Sequence, residues 1–367
     1  MYDLHVVGAG PAGLFAAYTA LKNGYTPIVS EEHATAGSPV HCSGLVSSSG
    51  LEQLSDVVDY KKITLNTINK ATLHGSKNSF CLEYKLPKAY LISRDGFDLA
   101  AAQKYICEGG QIKFSHKVQG ATDLLSKNVI GADGPISTTA RIFNFEKISK
   151  YSACWQGEFA YKSEDSHCVD VFFDPEIVPG FIGWIIPINE ERAKIGLGVS
   201  SDSTLQEAKR KFLQMQGVAS PVQTSGIGPA PKNEFGALIP ISTRPKTAKV
   251  HNGYNVCLCG DSAGQVKASS GGGIFFGAQC GRLAAQNFEN PLRYESEWRR
   301  KYGLDLALHS HLRYGFDALT PDGIDLWMGS IKLLRLDKLL MQAGEMDEYS
   351  KMLSPKTLSA WLQAFSR

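Results

Sequence analysis

The sequence lacks any uninterrupted apolar run of about 18 residues, which is the minimum for a transmembrane helix. It also lacks a run rich in lysine and arginine, and its formal net charge of +2 is too small to indicate nucleic-acid binding. The N-terminus enters an apolar strand at once, without the charged and apolar regions of a signal peptide. These absences predict a cytoplasmic protein that binds no nucleic acid.

Paired cysteine motifs are missing as well. The eight cysteines are scattered through predicted strands and helices, without the CxxC…CxxC or Cys/His spacing of a zinc site. We therefore predict no metal site, and we expect most of these cysteines to be small core residues in a reducing cytosol. Cys42 is the exception, because it lies in a segment rich in glycine, serine and proline (33–50) that is typical of an active-site loop.

Glycine, by contrast, is abundant, and its first cluster stands where an apolar strand meets a helix. The strand Leu4–Val7 runs into Gly8-Ala9-Gly10-Pro11-Ala12-Gly13, from which a helix continues through Leu21. Residues 26–30 then form a second buried strand, and Glu31 follows it, 18 residues after Gly13. Strand, glycine turn, helix and strand make a βαβ unit with parallel strands.

Each glycine of this first turn has a steric role. Gly8 permits the tight turn, Gly10 lets the backbone approach a pyrophosphate, and Gly13 allows the helix to pack against the strand. The amides at the helix N-terminus attract phosphate groups, and the carboxylate of Glu31 can accept hydrogen bonds from ribose hydroxyls. The pattern predicts a dinucleotide site, but it does not separate FAD from NAD.

Two later segments favour FAD. One apolar strand ends at Gly131-Ala132-Asp133-Gly134, and another leads into Gly260-Asp261-Ser262-Ala263-Gly264, where a carboxylate can accept a ribityl hydroxyl. Together with the first turn, these segments resemble the aromatic-hydroxylase superfamily of flavoproteins, which binds FAD in an extended form. The resemblance implies an α/β fold with a Rossmann-like FAD-binding domain, an inserted β-rich substrate domain and a C-terminal helical segment. The expected boundaries are 1–60, 91–150 and 251–290 for the FAD-binding domain, 61–90 and 151–250 for the substrate domain, and 291–367 for the helical segment.

A narrower resemblance depends on four motifs. They are Gly-Asp-Ser-Ala-Gly-Gln-Val-Lys with the following Ser-Ser-Gly-Gly-Gly-Ile (260–274), the cysteine loop Ser38-Pro39-Val40-His41-Cys42-Ser43-Gly44-Leu45, the block Ile182-Gly183-Trp184-Ile185-Ile186-Pro187, and the set Tyr294, Trp298, Arg299 and Gly303. These motifs resemble the geranylgeranyl reductase family, whose archaeal members saturate the isoprenoid chains of membrane lipids. Ile182 and Ile186 stand where that family usually has tyrosine and phenylalanine. The block stays apolar, because isoleucine is itself apolar.

The two resemblances imply a set of FAD contacts. Arg94 also has a physical argument of its own, because a guanidinium at a strand-to-helix junction can pair with a pyrophosphate. The alternative for Arg94 is a solvated arginine at a helix start. The glycines of the 271–273 cluster lack a Cβ, so a flavin ring edge can come close to the backbone. The implied contacts are Gly8, Gly10, Ala12, Gly13, Glu31, Cys42, Gly44, Arg94, Val118, Asp261, Gly272, Gly273 and Ile274.

The reaction of this family requires a long apolar pocket beside the flavin and a source of one proton. Cys42 is a candidate at the reaction centre by its family position, although a thiol with an ordinary pKa of about 8.5 is a weak acid for protonating an alkene. His41 is the neighbouring acid–base candidate, because imidazole titrates near neutrality. The substrate walls are expected to include Trp184, Phe181, Ile182 and Phe276, with core packing as the alternative for each.

Other functions fit the same motifs. A flavin-dependent monooxygenase or halogenase, or a quinone-linked flavoprotein, has the same fold, and a non-catalytic prenyl-lipid binding protein is a further alternative. The electron donor is NAD(P)H or reduced ferredoxin, because no separate nicotinamide fingerprint is visible, so an electron-donor protein is a possible partner. An isoprenoid lipid substrate implies peripheral contact with a membrane. The segment Met328–Gln342 is a candidate interfacial helix, with a core helix as its alternative.

Overall fold

The computed structural model describes residues 1–200, 203–217, 232–334 and 336–353. In chain order its strands and helices are β1 (Leu4–Val7), α1 (Pro11–Lys22), β2 (Pro27–Ser30), β3 (Leu45–Ser47), α2 (Ser48–Gln53), β4 (Thr64–Ile68), β5 (Lys70–His74), β6 (Ser79–Glu83), β7 (Ala89–Ile92), α3 (Arg94–Cys107), β8 (Gln111–Lys113), β9 (Asn128–Gly131), α4 (Thr138–Ile142), β10 (Tyr151–Ala160), β11 (Cys168–Phe172), β12 (Gly183–Pro187), β13 (Arg192–Ser200), α5 (Leu205–Met215), β14 (Lys232–Pro240), β15 (Ala248–His251), β16 (Tyr254–Leu258), α6 (Ile274–Asn287), α7 (Pro291–Asp317), α8 (Pro321–Leu333) and α9 (Leu336–Ala343). Short 3-10 helices lie at Tyr60–Ile63, Ala121–Asp123, Gly260–Ala263 and Tyr349–Leu353.

The apolar strands near the N-terminus form the centre of a six-stranded sheet with the order β15-β16-β9-β1-β2-β8. Neighbouring strands pair in parallel from β16 to β8, whereas β15 pairs antiparallel to β16. Strands β1 and β2 are buried along their whole length, as expected for a parallel sheet covered by helices. Helix α1 packs on these strands and against α6. This arrangement confirms the predicted α/β fold.

A second, seven-stranded sheet has the order β14-β10-β13-β12-β11-β5-β6 and is antiparallel except for the pair β11 and β5. A small antiparallel sheet, β3-β7-β4, lies in the chain between the two parts of the six-stranded sheet. Of the strands in 61–90, β5 and β6 therefore belong to the large antiparallel sheet, whereas β4 and β7 pair with β3 from the preceding segment. The domain boundaries given above remain predictions.

The C-terminal part is helical, as expected, but the single helix predicted for Met328–Gln342 is wrong. Helix α8 ends at Leu333 and α9 begins at Leu336, so two helices share this segment. Met328 and Ile331 are buried in the core beside the large sheet, which favours the core alternative for the first half of the segment. Residues 354–367, also expected to be helical, lie outside the described part of the chain. Among the described residues, no helix combines the length and the hydropathy needed to cross a membrane.

Helices α1 and α6 approach each other so closely that one glycine of α6 has no room for a side chain. A Cβ on Gly281 would lie 2.2 Å from the backbone carbonyl oxygen of Ala12. Backbone atoms cannot rotate away as a side chain can, so the two helices must separate to accept a larger residue. The contact fixes α6, and hence the glycine turn that precedes it, relative to the first βαβ unit.

Gly281→Ala is therefore expected to destabilise the protein by about 1–3 kcal/mol, although alanine is the better helix former. Thermal unfolding followed by circular dichroism measures the change. Gly315 of α7 is the matched control, because it is an exposed helical glycine with no atom within 4 Å of an added Cβ. Gly315→Ala should stabilise the protein by up to about 1 kcal/mol. Equal effects of the two substitutions would contradict the steric argument.

Candidate active site

One continuous cavity of about 1370 Å³ extends from the carboxyl ends of the parallel strands to the antiparallel sheet and the C-terminal helices. Its first half is lined by the first glycine turn, Glu31, Arg94 and Asp261. Its second half is lined mainly by apolar side chains from β6, β12, α7 and α8. The cavity therefore has a polar end on the dinucleotide fold and an apolar end beyond it.

At the polar end, the first glycine turn has the steric features that its sequence predicts. Gly8 has φ +103°, and a Cβ there would lie 2.4 Å from the carbonyl oxygen of Ala132. A Cβ on Gly13 would lie 2.0 Å from the carbonyl oxygen of Gly8. Gly10, by contrast, has open space where its side chain would be, and no side chain caps α1 there. This leaves the helix N-terminus open to the cavity, which fits a pyrophosphate group.

The carboxylate of Glu31 is nearly buried and holds the turn in place. It accepts hydrogen bonds from the backbone amide of Ala9 at 2.8 Å and from the backbone amide of His33 at 2.9 Å, and its Oε1 lies 2.7 Å from His33 Nδ1. Glu31 and the predicted contact Val118 both line the cavity at this end. His116 lines it as well, and its buried Nδ1 has no hydrogen-bond partner in the described part of the chain. A nucleoside would supply such partners.

Arg94 follows the cap residue Ser93, whose side chain accepts a hydrogen bond from the amide of Gly96. Its guanidinium pairs with the buried carboxylate of Asp98, one turn further along α3. Burial raises the pKa of Asp98, and the guanidinium opposes this rise. Arg94 Nε is buried and has no hydrogen-bond partner among the described residues. An orphaned guanidinium nitrogen in the wall of the same cavity as the open N-terminus of α1 fits an anionic ligand such as a pyrophosphate.

Asp261 lies directly after β16, where the polar end of the cavity approaches the second glycine turn. Burial raises its pKa to about 6, and the charge of Arg94 only partly offsets this. A Cβ on Gly273 would lie 3.1 Å from Asp261 Oδ1, so the glycine keeps the space beside the carboxylate open. A ligand hydroxyl that donated a hydrogen bond here would stabilise the charged form. The residues present therefore fit the ribityl chain of FAD.

The second glycine turn lines the cavity at the boundary between its two ends. Gly271 has φ +76°, and Gly273 precedes the first residue of α6, Ile274, without a side-chain cap. Gly272 lies against the side chain of Lys267. Lys267 Nζ lies 2.7 Å from Asp347 Oδ1 in the cavity wall. Neither residue was predicted from the sequence to belong to the site. Only the fold brings this lysine and this aspartate, 80 residues apart, together.

The cysteine loop forms another part of the cavity wall. His41 and Cys42 line the cavity, and Cys42 Sγ accepts a hydrogen bond from the amide of Gly44 at 3.4 Å. The buried Lys194 of β13 donates to the carbonyl oxygen of Ser43 at 2.7 Å and so ties the loop to the antiparallel sheet. Burial lowers the pKa of Lys194. The loop is thus held between the two halves of the molecule.

The apolar end contains only two of the four predicted substrate residues. Ile182 and Trp184 line the cavity, and Trp184 Nε1 donates to Gln156 Oε1 at 2.9 Å. Phe276 is fully buried and packs edge to face against other aromatic rings of the core. Phe181 is likewise a core residue, below the wall of the cavity. Among the predicted cofactor residues, Gly13 and Gly44 lie behind the wall, where each meets a backbone carbonyl.

Several cavity residues were missed because they are distant in sequence from every motif. They come from the β5–β6 hairpin and from helices α7 to α9, where an apolar residue looks like any core residue. They are Phe80, Leu82, Leu312, Phe316, Trp327 and Leu340.

Comparisons with known proteins agree with this geometry. Residues 3–70 match the FAD binding domain family. The chain is 26% identical to a digeranylgeranylglycerophospholipid reductase 2 of Methanothermobacter thermautotrophicus, over 90% of the chain and 92% of the relative. It is 27% identical to an uncharacterized protein of Methanocaldococcus jannaschii, over 98% of the chain and 95% of that relative.

Two solved structures show the same fold. A geranylgeranyl bacteriochlorophyll reductase-like protein from Thermoplasma acidophilum superposes with a TM-score of 0.74 and 20% identity, covering 98% of this chain and 95% of that one. The flavin-dependent brominase Bmp2 gives 0.66 and 16%, covering 100% and 98%. These findings confirm the predicted fold, FAD as the cofactor and the resemblance to the geranylgeranyl reductase family.

The raised pKa of Asp261 gives a prediction that separates stability from cofactor binding. The folded protein holds the proton of Asp261 more tightly than the unfolded chain does, so the free energy of unfolding falls as the pH rises from 3.8 to about 6. Asp261→Asn removes this cost. The FAD-free protein should gain roughly 1–3 kcal/mol at pH 7, and the gain should shrink as the pH falls towards 4.

The same variant should bind FAD at least about tenfold more weakly, because a hydrogen bond to a carboxylate is stronger than one to an amide. Urea unfolding at both pH values and a fluorescence titration with FAD measure the two effects. Asp56→Asn removes an exposed carboxylate that pairs with Arg282 and serves as the control, with little change in either quantity. A variant of Asp261 that is less stable at pH 7 would contradict the argument.

Proposed function

We propose that this chain, which resembles the geranylgeranyl reductases over most of its length, is an FAD-dependent reductase that saturates double bonds of geranylgeranyl chains in membrane lipids or their precursors. The observation that supports this most directly is the continuity of the cavity. The polar end of the cavity, on the dinucleotide fold, continues past the second glycine turn into the apolar end. An isoprenoid chain is a long hydrocarbon, so it requires a site of this character next to the reacting end of the cofactor.

When bound, FAD supplies the hydride that adds to one carbon of the double bond. The polar end of the site would bind and orient it: Arg94 and the N-terminus of α1 would hold the pyrophosphate, and the carboxylates of Glu31 and Asp261 would accept hydroxyl hydrogen bonds. Gly272 and Gly273 leave room for the ring. These assignments are based on the residues that line the cavity, and substitution of each residue tests its role.

The apolar walls orient the substrate and exclude water. Trp184 is fixed in one orientation, because Gln156 holds its Nε1 and Gly196 leaves space for its ring. A Cβ on Gly196 would lie 2.5 Å from the indole. Excluding water matters because any carbon that gains positive charge during protonation would react with it.

The reaction also needs a proton for the second carbon of the double bond. Both His41 and Cys42 line the cavity, the thiol near Arg94 and the His41 ring against Phe235 of β14, and we assign them to holding and delivering that proton. The Lys194 contact with the carbonyl oxygen of Ser43 keeps the loop in place. The electron donor in this proposal is NAD(P)H or reduced ferredoxin.

The lipid substrate also implies contact with a membrane surface. The junction between α8 and α9 exposes Leu333 and Leu334, with exposed fractions of 80% and 41%. Trp327, earlier in α8, lines the apolar end of the cavity. We propose this junction as the region where the lipid enters, and it replaces the single interfacial helix expected from the sequence.

Incubating the protein anaerobically with a geranylgeranyl lipid and chemically reduced FAD should add two hydrogen atoms to the lipid for each double bond saturated, as measured by mass spectrometry. Aerobic incubation with NADPH tests the alternative, because the fold is shared with a flavin-dependent brominase. Incorporation of oxygen or halide, with no gain of hydrogen, would refute the reductase function.

Two tryptophan substitutions on one helix test whether the apolar end holds the lipid. Leu312→Trp places a larger side chain in the cavity wall, whereas Leu304→Trp places it on the exposed side of the same helix. The first should lower reduction of the geranylgeranyl lipid at least tenfold with FAD retained, and the second should leave it unchanged. Equal activities would mean that the hydrocarbon lies elsewhere.

The cysteine assignment has its own test. Cys42→Ala and Cys42→Ser should retain FAD and lose most lipid reduction, by about 10²–10⁴-fold, the range typical of general acid–base groups. Steady-state turnover with matched FAD occupancy measures this. Full activity in both variants would remove Cys42 from catalysis and leave His41 as the proton source to be tested next.

A further inference from the structure

A buried ion pair lies in the cavity wall, outside every role assigned above. Lys267 Nζ lies 2.7 Å from Asp347 Oδ1, and the two side chains are 8% and 5% exposed. Lys267 also donates to the carbonyl oxygen of Met346 at 3.2 Å, and the hydroxyl of Ser47 donates to Asp347. The pair links the chain just before the second glycine turn to a segment (344–349) that follows α9.

The lysine lies directly against the second glycine turn. A Cβ on Gly272 would lie 2.9 Å from Lys267 Nζ, so the ammonium group occupies the side of the turn where a side chain would stand. The amide of Lys267 donates to the carbonyl oxygen of Gly272 at 3.1 Å, and the amide of Gly271 donates to that of Lys267 at 2.7 Å. These hydrogen bonds hold the main chain of Lys267 at the turn, and the contacts of Nζ with Asp347 and with the carbonyl oxygen of Met346 hold its charge.

Asp347 carries the opposite charge. Burial favours its neutral form, but the neighbouring Lys267 holds its pKa below the ordinary value, so it is a carboxylate near neutral pH. His309 also lies close to the pair, and burial lowers its pKa to about 3, so it adds no positive charge. The local balance thus consists of one ammonium and one carboxylate in a largely apolar wall, where charges act over longer distances than in water.

The polar end of the cavity shows which part of FAD would meet this pair. An extended dinucleotide with its ribose at Glu31 and its pyrophosphate at Gly10 would pass Asp261 next. Its ring would then lie at the second glycine turn, because Gly273 adjoins Asp261 there. This step rests on the proposed function, because it takes FAD as the occupant of the polar end.

We infer that Lys267 and Asp347 together set the reduction potential of the bound FAD. The ammonium of Lys267 stabilises the electron-rich reduced ring across the glycine turn, and the carboxylate of Asp347 cancels part of that effect. Both are positioning residues, since neither is assigned to bind the lipid or to move its proton.

The inference is tested by measuring the reduction potential of the FAD-loaded protein without lipid. Substitutions of the two residues should shift this potential in opposite directions. Asp347→Asn leaves the ammonium unbalanced and should shift the potential to more positive values. Lys267→Met leaves a lone carboxylate and should shift it to more negative values. Each change should alter the equilibrium constant for two-electron reduction at least tenfold, which corresponds to about 30 mV. The double variant should return to within a few-fold of the wild-type constant.

The matched control is an exposed ion pair on α5, in which Glu207 and Lys211 are 57% and 44% exposed. Glu207→Gln changes the net charge by the same amount as Asp347→Asn, and it should leave the potential unchanged.

Removing one member of a buried pair destabilises a protein more than removing both. Asp347→Asn retains its shape and leaves Lys267 bonded to Met346, so this variant and the double variant decide the result if Lys267→Met fails to fold.

Unchanged potentials, or shifts of the same sign in both single variants, would overturn the inference. Loss of FAD from both Asp347→Asn and the double variant would also overturn it, because the pair would then be needed for binding rather than for charge balance. A protein that binds FAD and shows the opposite shifts, yet reduces no lipid, would support the inference and refute the proposed lipid substrate. If the protein reduces the lipid but the potentials of the single variants are unshifted, the proposed function is supported and the inference about the ion pair is refuted.

Discussion

The close approach of α1 to its neighbours is the constraint on which the rest of the structure depends. At Gly13 and Gly281 a Cβ would lie only 2.0 and 2.2 Å from backbone carbonyl oxygens, so these contacts are made by the main chain itself. Main-chain contacts cannot relax by changing rotamer. They hold the two glycine turns, 8–13 and 271–273, at fixed positions although they are separated by the whole antiparallel sheet in sequence. An extended cofactor needs this fixed spacing along its entire length.

A second constraint comes from the proposed function, because a site for both a charged dinucleotide and a hydrocarbon must separate the two chemistries. The structure does so by pairing its buried charges locally. Arg94 faces Asp98, and Lys267 faces Asp347, so neither cation is uncompensated in the wall. Asp261 is the contrasting case. Burial raises its pKa to about 6, and a ligand hydroxyl would be needed to stabilise its charged form.

Those parts of the fold and site that depend on neighbouring residues in the chain could be predicted from the sequence. The Ser93 cap, the helix from Ile274 to Asn287 and the glycine turns all follow from short-range sterics, and the structure contains each of them. The partition of apolar residues between core and cavity could not be predicted. Ile182 lies in a recognisable motif and Phe276 lies two residues after one, yet Phe276 is a core residue and Ile182 lines the cavity, because tertiary packing decides which face is covered. The division of this segment into α8, which ends at Leu333, and α9, which begins at Leu336, was missed for a related reason, since the apolar periodicity of the sequence continues from one helix to the other.

The same distinction explains why the cofactor is easier to infer than the lipid. A dinucleotide offers charges and hydroxyls, and each requires a particular donor or acceptor at a particular place, so its site leaves a sequence motif. A hydrocarbon offers only shape, and a wall for it can be built from any apolar side chains that leave a cavity of the right width. Ile182 can therefore stand where the related family has tyrosine without changing the character of the wall. Selectivity among hydrocarbon chains must then come from the few residues whose orientation is fixed by polar contacts, of which Trp184, held by Gln156, is the clearest case.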